Sequence, residues 1–422
     1  MSESDTIALF AEGTFEEQVQ DLVNYIVRGL SDESRTTAIK PFQELFITRS
    51  GRTPLNKDAE RKKKVISMVI AETKTLGQGS EREIEGFFNL LISHVLTLFT
   101  DTSSAKGQIE PLIAVITSSA SESSVIKYRI LSNIFNALPR QSPIRLQVYN
   151  ALFSLATSNK ELDTIQVNKS TVDRWLSEWD VSPDEKGTFL KSLAIAFEQA
   201  GDATTSYSYL FSRLEVLPDG SSEAEQAAID VIIAALRLPT VFDLNKLLKT
   251  SRLEIVKDRP LFALLRIIAQ GDLKDYKQWE SGNQQVLSKS GLDAAAVEKK
   301  IRFLTLATLA SDYVGKEISY SKIASTIQVP ESDVELWVIN AVRSNLLAGK
   351  LSQLTQTFCV TRSITRAFQK PDWKLLEEKL SSWRTNLIGV LEVVESARKS
   401  AQPAPTGPPV HGDLAKEAPA ST

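Results

Sequence analysis

Apolar residues recur every three or four positions along most of the chain, which predicts a succession of amphipathic helices. The first helix is expected to begin after Thr14, because Thr14 with Glu17 three residues later is typical of a helix N-terminus. Segments rich in Gly, Ser, Thr and Pro separate the next predicted helices, at 38–47, 63–71, 83–99 and 108–118. Residues 1–123 are therefore expected to form an N-terminal helical region.

From residue 124 to residue 296 the pattern becomes regular pairs of helices. Ser182 followed by Pro183 predicts a helix start, since serine caps the helix and proline suits its first turn. The glycine–aspartate step at 201–202, expected to end that helix, recurs at 271–272, an interval of about two helix-pair repeats. Such repeats bury their apolar faces only against their neighbours. An all-α solenoid of helical repeats is therefore predicted for 124–296.

Helical and strand periodicities meet only in the segment 297–368. A first helix, a brief extended segment at Ile318 and a short second helix are followed by a third helix predicted over 331–346 and ended by Gly349. The buried face of the third helix is expected to contain Val334, Trp337, Val338, Ala341 and Val342. Alternation at 351–354 and 358–361 predicts a hairpin. Three helices with a small β-hairpin predict a winged helix.

A winged helix does not by itself name a function, and DNA binding is the first alternative. The expected exposed residues at the start of the third helix are Glu331, Asp333 and Glu335, which would bring negative charge against phosphates. The chain has 49 Lys and Arg against 52 Asp and Glu, for a formal net charge of -3. Bulk charge therefore attracts neither nucleic acid nor an anionic membrane. We expect a protein-assembly module without sequence-specific DNA binding.

Beyond Pro371, apolar residues alternate at steps of three and four, which is a heptad pattern. They are Trp373, Leu376, Leu380, Trp383, Leu387, Val390 and Val394. Charged residues such as Lys374 and Glu378 occupy other positions, so a helix over 371–398 with one narrow apolar seam is predicted. We name these seven residues the helix seam and interpret it as a partner interface. Proline, alanine and glycine dominate 401–422, which predicts a disordered tail.

The residues of the usual catalytic sites are scarce. Of two histidines, His94 lies in an apolar predicted helix and His411 in the tail, so histidine triads and histidine-ligated zinc sites are excluded. Gly315-Lys316 lacks the earlier glycine of a phosphate loop. The single cysteine, Cys359, is interpreted as a packing residue of a strand. We expect no enzyme, no cofactor, no metal and no small-molecule substrate.

The sequence also bears on location. One cysteine excludes an internal disulfide framework and fits a reducing compartment. Residues 1–10 contain no apolar core long enough for a secretory signal, and the most apolar run, 87–99, is too short to span a bilayer. A cytoplasmic protein without membrane contact is expected.

Five stretches, taken in order, resemble the PCI domain family shared by the proteasome lid, the signalosome and translation initiation factor three. They are Lys127–Phe135, Trp175–Trp179, Lys316–Ser319, Val338–Arg343 and Arg366–Phe368. The stretches are most similar to the initiation factor branch of the family. The resemblance implies that the helical repeats form a right-handed superhelix that ends in the winged helix and is followed by a terminal helix.

The same resemblance implies a function. It is that of a non-catalytic scaffold subunit, which contacts other PCI and MPN subunits of initiation factor three through its winged helix and terminal helix. Such a subunit supports assembly of the pre-initiation complex on the small ribosomal subunit. A PCI subunit of the signalosome or of the proteasome lid is the alternative.

Overall fold

The computed structural model describes residues 13–29, 31–46, 55–119, 124–165, 167–218, 220–364, 366 and 370–401. These residues are largely helical. The helices are α1 (Phe15–Val27), α2 (Asp32–Phe46), α3 (Ala59–Glu72), α4 (Glu81–Leu98), α5 (Thr102–Ser118), α6 (Ser124–Ala137), α7 (Ile144–Asn159), α8 (Lys169–Glu178), α9 (Pro183–Gln199), α10 (Ala203–Val216), α11 (Ser222–Arg237), α12 (Asn245–Leu248), α13 (Pro260–Gln270), α14 (Leu273–Lys289), α15 (Ala294–Asp312), α16 (Tyr320–Ile327), α17 (Val334–Arg343) and α18 (Lys370–Ala401). The strands are β1 (Glu317–Ser319), β2 (Leu347–Ser352) and β3 (Thr357–Ser363).

Helix starts follow the capping signals of the sequence. The Thr14 hydroxyl accepts a hydrogen bond from the Glu17 N–H, and the Glu17 carboxylate accepts one from the Thr14 N–H. Ser182 and Glu185 make the same reciprocal pair at the start of α9, with Pro183 as the first helical residue. Both predicted starts are confirmed, because each cap satisfies main-chain N–H groups that have no partner inside the helix.

The chain divides into two compact units. The first contains Met1–Val241, Lys246–Leu265 and Gly282–Val297, and the second contains Phe242–Asn245, Arg266–Ser281 and Glu298–Thr422. In the first unit, α9 packs on α10 and α10 on α11, so that neighbours in sequence are neighbours in space. One continuous core runs from Val19 in α1 to Tyr209 in α10. This is the arrangement expected of helical repeats.

The two glycine–aspartate steps differ in structure. Gly201 has a φ of +88°, the left-handed conformation that ends a helix, as predicted. Gly271 lies outside that region; a Cβ there would lie 3.0 Å from the Ile267 carbonyl oxygen and 3.2 Å from its Cα. The first glycine is therefore favoured by its backbone conformation, whereas a side chain at the second would lie tightly against the last turn of α13.

The second unit contains the predicted winged helix. Its three antiparallel strands lie in the order β1-β3-β2, with Ile318 of β1 and Leu351 of β2 both paired with Phe358 of β3. Helices α15, α16 and α17 contribute Leu306, Ile323 and Val338, among others, to the core beneath the sheet. The brief extended segment predicted at Ile318 is the edge strand β1.

The third helix of this fold, α17, ends earlier than predicted. Asn345 adopts a left-handed φ of 58°, and the N–H of Leu346 donates to the Ala341 carbonyl, which closes the helix. Gly349, predicted to end the helix, instead lies within β2. A Cβ on Gly349 would lie 2.2 Å from the Cys359 carbonyl oxygen, so glycine permits the close approach of β3.

The terminal helix α18 contains 32 residues and is about 48 Å long at 1.5 Å per residue. The predicted disordered tail lies outside the described residues, apart from Ala401 at the end of α18. None of the helices in the described ranges combines the length and the apolar character needed to cross a membrane.

Candidate protein-interaction surfaces

All residues of the helix seam lie on α18 and are exposed. Their exposed fractions range from 38% for Leu376 to 63% for Trp373 and Trp383. Steps of three and four place the seven side chains along one side of the helix. The structure therefore brings together every seam residue that the sequence predicted, as a stripe of apolar side chains in contact with water.

Three further exposed apolar residues lie on α18, outside the predicted seam. They are Ile388, Leu391 and Val393. At 100° per residue, Leu391 extends the helix seam, whereas Ile388 and Val393 lie on its two sides. From Leu387 to Val394 the apolar surface therefore covers about 220° of the circumference. The apolar surface is narrow only in the first half of α18. The dense run of apolar residues from Leu387 to Val394 was the sequence feature that indicated the wider surface of the second half.

The winged helix carries a second apolar surface, on α17. Val334, Val338 and Ala341 are buried, as predicted, and Trp337 is half-buried. Val342 was predicted to be buried but is exposed, because it lies on the side of α17 that faces away from the core beneath the sheet. With Leu336 and Ile339 it forms a line of exposed residues spaced by three, which we name the α17 stripe. This stripe was not predicted, because the pattern of the sequence was interpreted as a single buried face of α17.

The acidic residues near the α17 stripe differ in whether they hydrogen-bond within the fold. Glu331 and Asp333 are exposed in the turn that precedes α17. Glu335 is half-buried and accepts hydrogen bonds from the Tyr320 hydroxyl at 3.3 Å and from the Gln353 side-chain amide at 3.1 Å. Burial and this neighbouring carboxylate raise the pKa of Tyr320. The surface that a winged helix would insert into a DNA groove is thus apolar and acidic, which disfavours phosphate binding.

Arg366 fixes the chain just before α18 to the second unit. Its buried guanidinium donates from Nε to the Ile268 carbonyl at 2.9 Å and from Nη2 to the Ile267 carbonyl at 3.1 Å. Both carbonyls belong to the last turn of α13, where the peptide dipoles leave partial negative charge. The Asn245 side-chain amide donates to the Arg366 carbonyl. Burial lowers the pKa of Arg366 to about 10, against the effect of Asp272, so the guanidinium stays charged at neutral pH.

The residues considered for catalysis lie apart from one another. His94 of α4 contacts the Phe15 ring edge-on at 5.2 Å, and burial, aided by Lys62, lowers its pKa. Cys359 is half-exposed in β3, and His411 lies outside the described residues. Gly315 has a φ of +80° and ends the connection after α15. Within the ranges given above, no group of three or more His, Cys, Asp and Glu side chains is placed to hold a metal ion.

Comparison with known families agrees with this architecture. Residues 273–362 match the family model described as the PCI domain. This part of the chain is therefore similar to the PCI domain, as the resemblance of its sequence predicted. Residues 366–394 match a second model, described as the C-terminal helix of eIF3 subunit M, and this match includes the whole helix seam.

Individual relatives extend the similarity to nearly the full chain. The eukaryotic translation initiation factor 3 subunit M of Phaeosphaeria nodorum is 29% identical over 402 residues, which cover 93% of this chain and 89% of the relative. Subunit M of Aspergillus oryzae is 29% identical over 93% of this chain and 88% of the relative. Subunit M of Dictyostelium discoideum is 29% identical over 76% of this chain and 80% of the relative. Among PCI-domain proteins, this chain is thus similar to subunit M of eukaryotic translation initiation factor 3.

Proposed function

We propose that this chain is a non-catalytic scaffold subunit of eukaryotic translation initiation factor 3. In this role it joins other PCI and MPN subunits through α18 and the winged helix, in the cytoplasm, and supports pre-initiation complex assembly on the small ribosomal subunit. The observation that carries the proposal is the exposed helix seam on a helix that matches the terminal-helix model of subunit M. No membrane or specific DNA sequence is among the proposed partners.

The size of the apolar surface supports assembly with helices of other subunits. Burying a large apolar side chain contributes about 1.5–3 kcal/mol, so seven side chains that are roughly half-exposed contribute about 5–10 kcal/mol. Association itself costs about 4–15 kcal/mol in lost motion, before the ordering of side chains. The helix seam alone therefore gives weak pairing, and stable assembly needs additional surface.

Ile388, Leu391, Val393 and the α17 stripe supply that additional surface. The first half of α18 has a narrow seam, which one partner helix covers. The second half is apolar over more than half of its circumference. A single partner helix leaves part of such a surface exposed to water. We therefore infer that α18 pairs with one helix near Trp373 and enters a bundle of several helices near Val390.

The test replaces two central seam residues with aspartate. In a tagged full-length chain, Leu380→Asp with Leu387→Asp is expected to abolish co-purification of initiation factor 3 subunits, since it places carboxylates where the partner helix buries the seam. The matched control is Ser382→Asp with Thr385→Asp, which adds the same charge to exposed polar positions of α18 away from the seam. Mass spectrometry of the co-purified proteins is the measurement.

Thermal unfolding of the same variants separates assembly from folding. The seam variant is expected to retain the melting temperature of the unmodified chain, because the seam residues are exposed in the free chain. Retained partners together with a lowered melting temperature would show that the seam stabilises the chain itself and would refute the proposal. Co-purification of signalosome or proteasome-lid subunits instead would assign the chain to a different complex.

A further inference from the structure

A second concave surface lies in the first unit, among the helical repeats. It is a half-open cleft of about 360 Å³ formed by α9, α10 and α11 together with Lys289 and Ser290. Its volume is at the small end of the range of about 300–1,000 Å³ typical of ligand sites. A cleft of this size accommodates one or two large side chains, which indicates a short segment and not a folded domain.

The floor of the cleft is apolar. Leu210, Ile233 and Leu238 line it from α10, α11 and the residue that follows α11. Ile195 of α9 also lines it and is 45% exposed, although its neighbours Ala194 and Ala196 are buried. A large apolar side chain exposed on a concave surface is favourable to cover with another apolar side chain.

The acidic groups around the cleft are already paired. Glu198 accepts from Arg237 Nη1 at 2.8 Å. Asp230 accepts from Arg213 Nη1 at 3.1 Å and from the Gln226 side-chain amide at 2.9 Å. These carboxylates therefore offer little charge to an incoming ligand.

Two lysines at the cleft lack such partners. Lys191 of α9 and Lys289 at the end of α14 both line the cleft and are exposed. Neither side-chain ammonium group makes a hydrogen bond or an ion pair with any residue in the described part of the chain. The cleft thus presents two uncompensated positive charges beside an apolar floor, and carboxylates are their complement.

A serine adds a polar group to the cleft. Ser206 of α10 lines it with an exposed fraction of 4%. A serine hydroxyl can donate or accept a hydrogen bond, so it suits a main-chain group of a bound peptide.

We propose that this cleft binds an acidic segment of another protein, which inserts a large apolar side chain against Ile195 and places carboxylates beside Lys191 and Lys289. The apolar floor favours a peptide that carries a large apolar side chain over a phosphate backbone, which has none. The site is distinct in sequence from the helix seam and the α17 stripe, so it adds a partner to the proposed scaffold and does not depend on that function.

The probe is a fluorescein-labelled peptide of sequence Asp-Glu-Asp-Leu-Phe-Asp-Glu-Asp, titrated with the dilute full-length chain and followed by fluorescence anisotropy. Binding is expected to weaken as salt rises, because exposed charges are screened. Lys191→Glu with Lys289→Glu is expected to weaken binding about ten-fold or more, since each exposed ion pair is lost and replaced by repulsion. Replacing Leu-Phe in the peptide with Gly-Ser is expected to weaken binding of the peptide to a similar degree.

Two further variants make the result specific. Lys40→Glu with Lys249→Glu changes the net charge equally at exposed lysines away from the cleft and is expected to retain full affinity. Ile195→Ser alters the apolar floor without changing charge and is expected to weaken binding. Equal melting temperatures of all variants establish that they are folded.

Four outcomes would overturn the inference. They are no peptide binding in this titration, equal losses in the cleft and control lysine variants, and loss of binding in the Leu380→Asp, Leu387→Asp variant, which would place the peptide on the helix seam. The fourth is tighter binding of single-stranded RNA through Lys191 and Lys289, which would make the cleft a nucleic-acid site.

Discussion

Lys300 of α15 is an ionisable residue enclosed in the second unit. It is 3% exposed, and its Nζ lies 5.9 Å from the centre of the Phe242 ring. Burial lowers the pKa of Lys300 to about 7, because loss of hydration disfavours the ammonium form. The unfolded chain, with the ordinary lysine pKa, binds more protons between pH 7 and about 10.5. The stability of the fold therefore rises with pH across this window.

Lys300→Met is expected to stabilise the chain at neutral pH. Methionine keeps the length of the side chain and removes the buried charge, so the free energy of unfolding should rise by about 1–3 kcal/mol at pH 7 and by less at pH 9. Thermal unfolding at the two pH values is the measurement. The control is Lys299→Met on the exposed side of α15, and an equal effect of both substitutions would contradict the assignment.

Individual residues also show what sequence alone can predict. The cap at Thr14 was predictable because its chemistry involves residues three positions apart. The end of α17 was not, because Asn345 adopts the left-handed conformation and Gly349 serves a contact with Cys359 of another strand. A glycine in the sequence does not show whether its backbone conformation or its missing side chain is required.

Among the elements, α18 follows Arg366, whose side chain is hydrogen-bonded to the end of α13. Arg366→Met is expected to lower the free energy of unfolding by about 2–3 kcal/mol, since it removes charged hydrogen bonds to the carbonyls at the end of α13. Arg366→Lys should lose less, because it keeps the charge but not the planar donor geometry. Arg362→Met, at an exposed position of β3, is the control. Chemical denaturation measures the free energy of unfolding of all three variants. Equal losses at 362 and 366 would exclude a specific role for the hydrogen bonds of Arg366.

The interaction surfaces were predictable to different degrees. The seven seam residues follow from a period along one helix, so the sequence identified them without the fold. The α17 stripe was missed because α17 is apolar on two sides, and only the sheet decides which side is covered. The cleft was beyond prediction, because Lys191 and Lys289 are far apart in the sequence and meet only through the packing of helices.

At the scale of the whole molecule, the sequence predicts one cooperative unit over 125–368. The chain passes between the two units several times, and its last passage lies within α15, between Val297 and Glu298, in helical main chain. Limited trypsin digestion is expected to spare Lys299 and Lys300 while it cuts near the exposed end of α18. Early cleavage at 299–300 into two stable fragments would show that the units fold separately.

The exposed apolar surface of α18 also has a consequence for the abundance of the protein in a cell. A chain released without its partners presents ten large apolar side chains of one helix to water, the seven of the seam with Ile388, Leu391 and Val393. Surfaces of this kind promote aggregation and recruit chaperones and proteases. Under the proposed function, surplus copies are expected to be removed, and the steady-state amount of the chain is expected to follow the supply of the subunits that cover α18. The helix proposed to join the complex would thereby also set its stoichiometry.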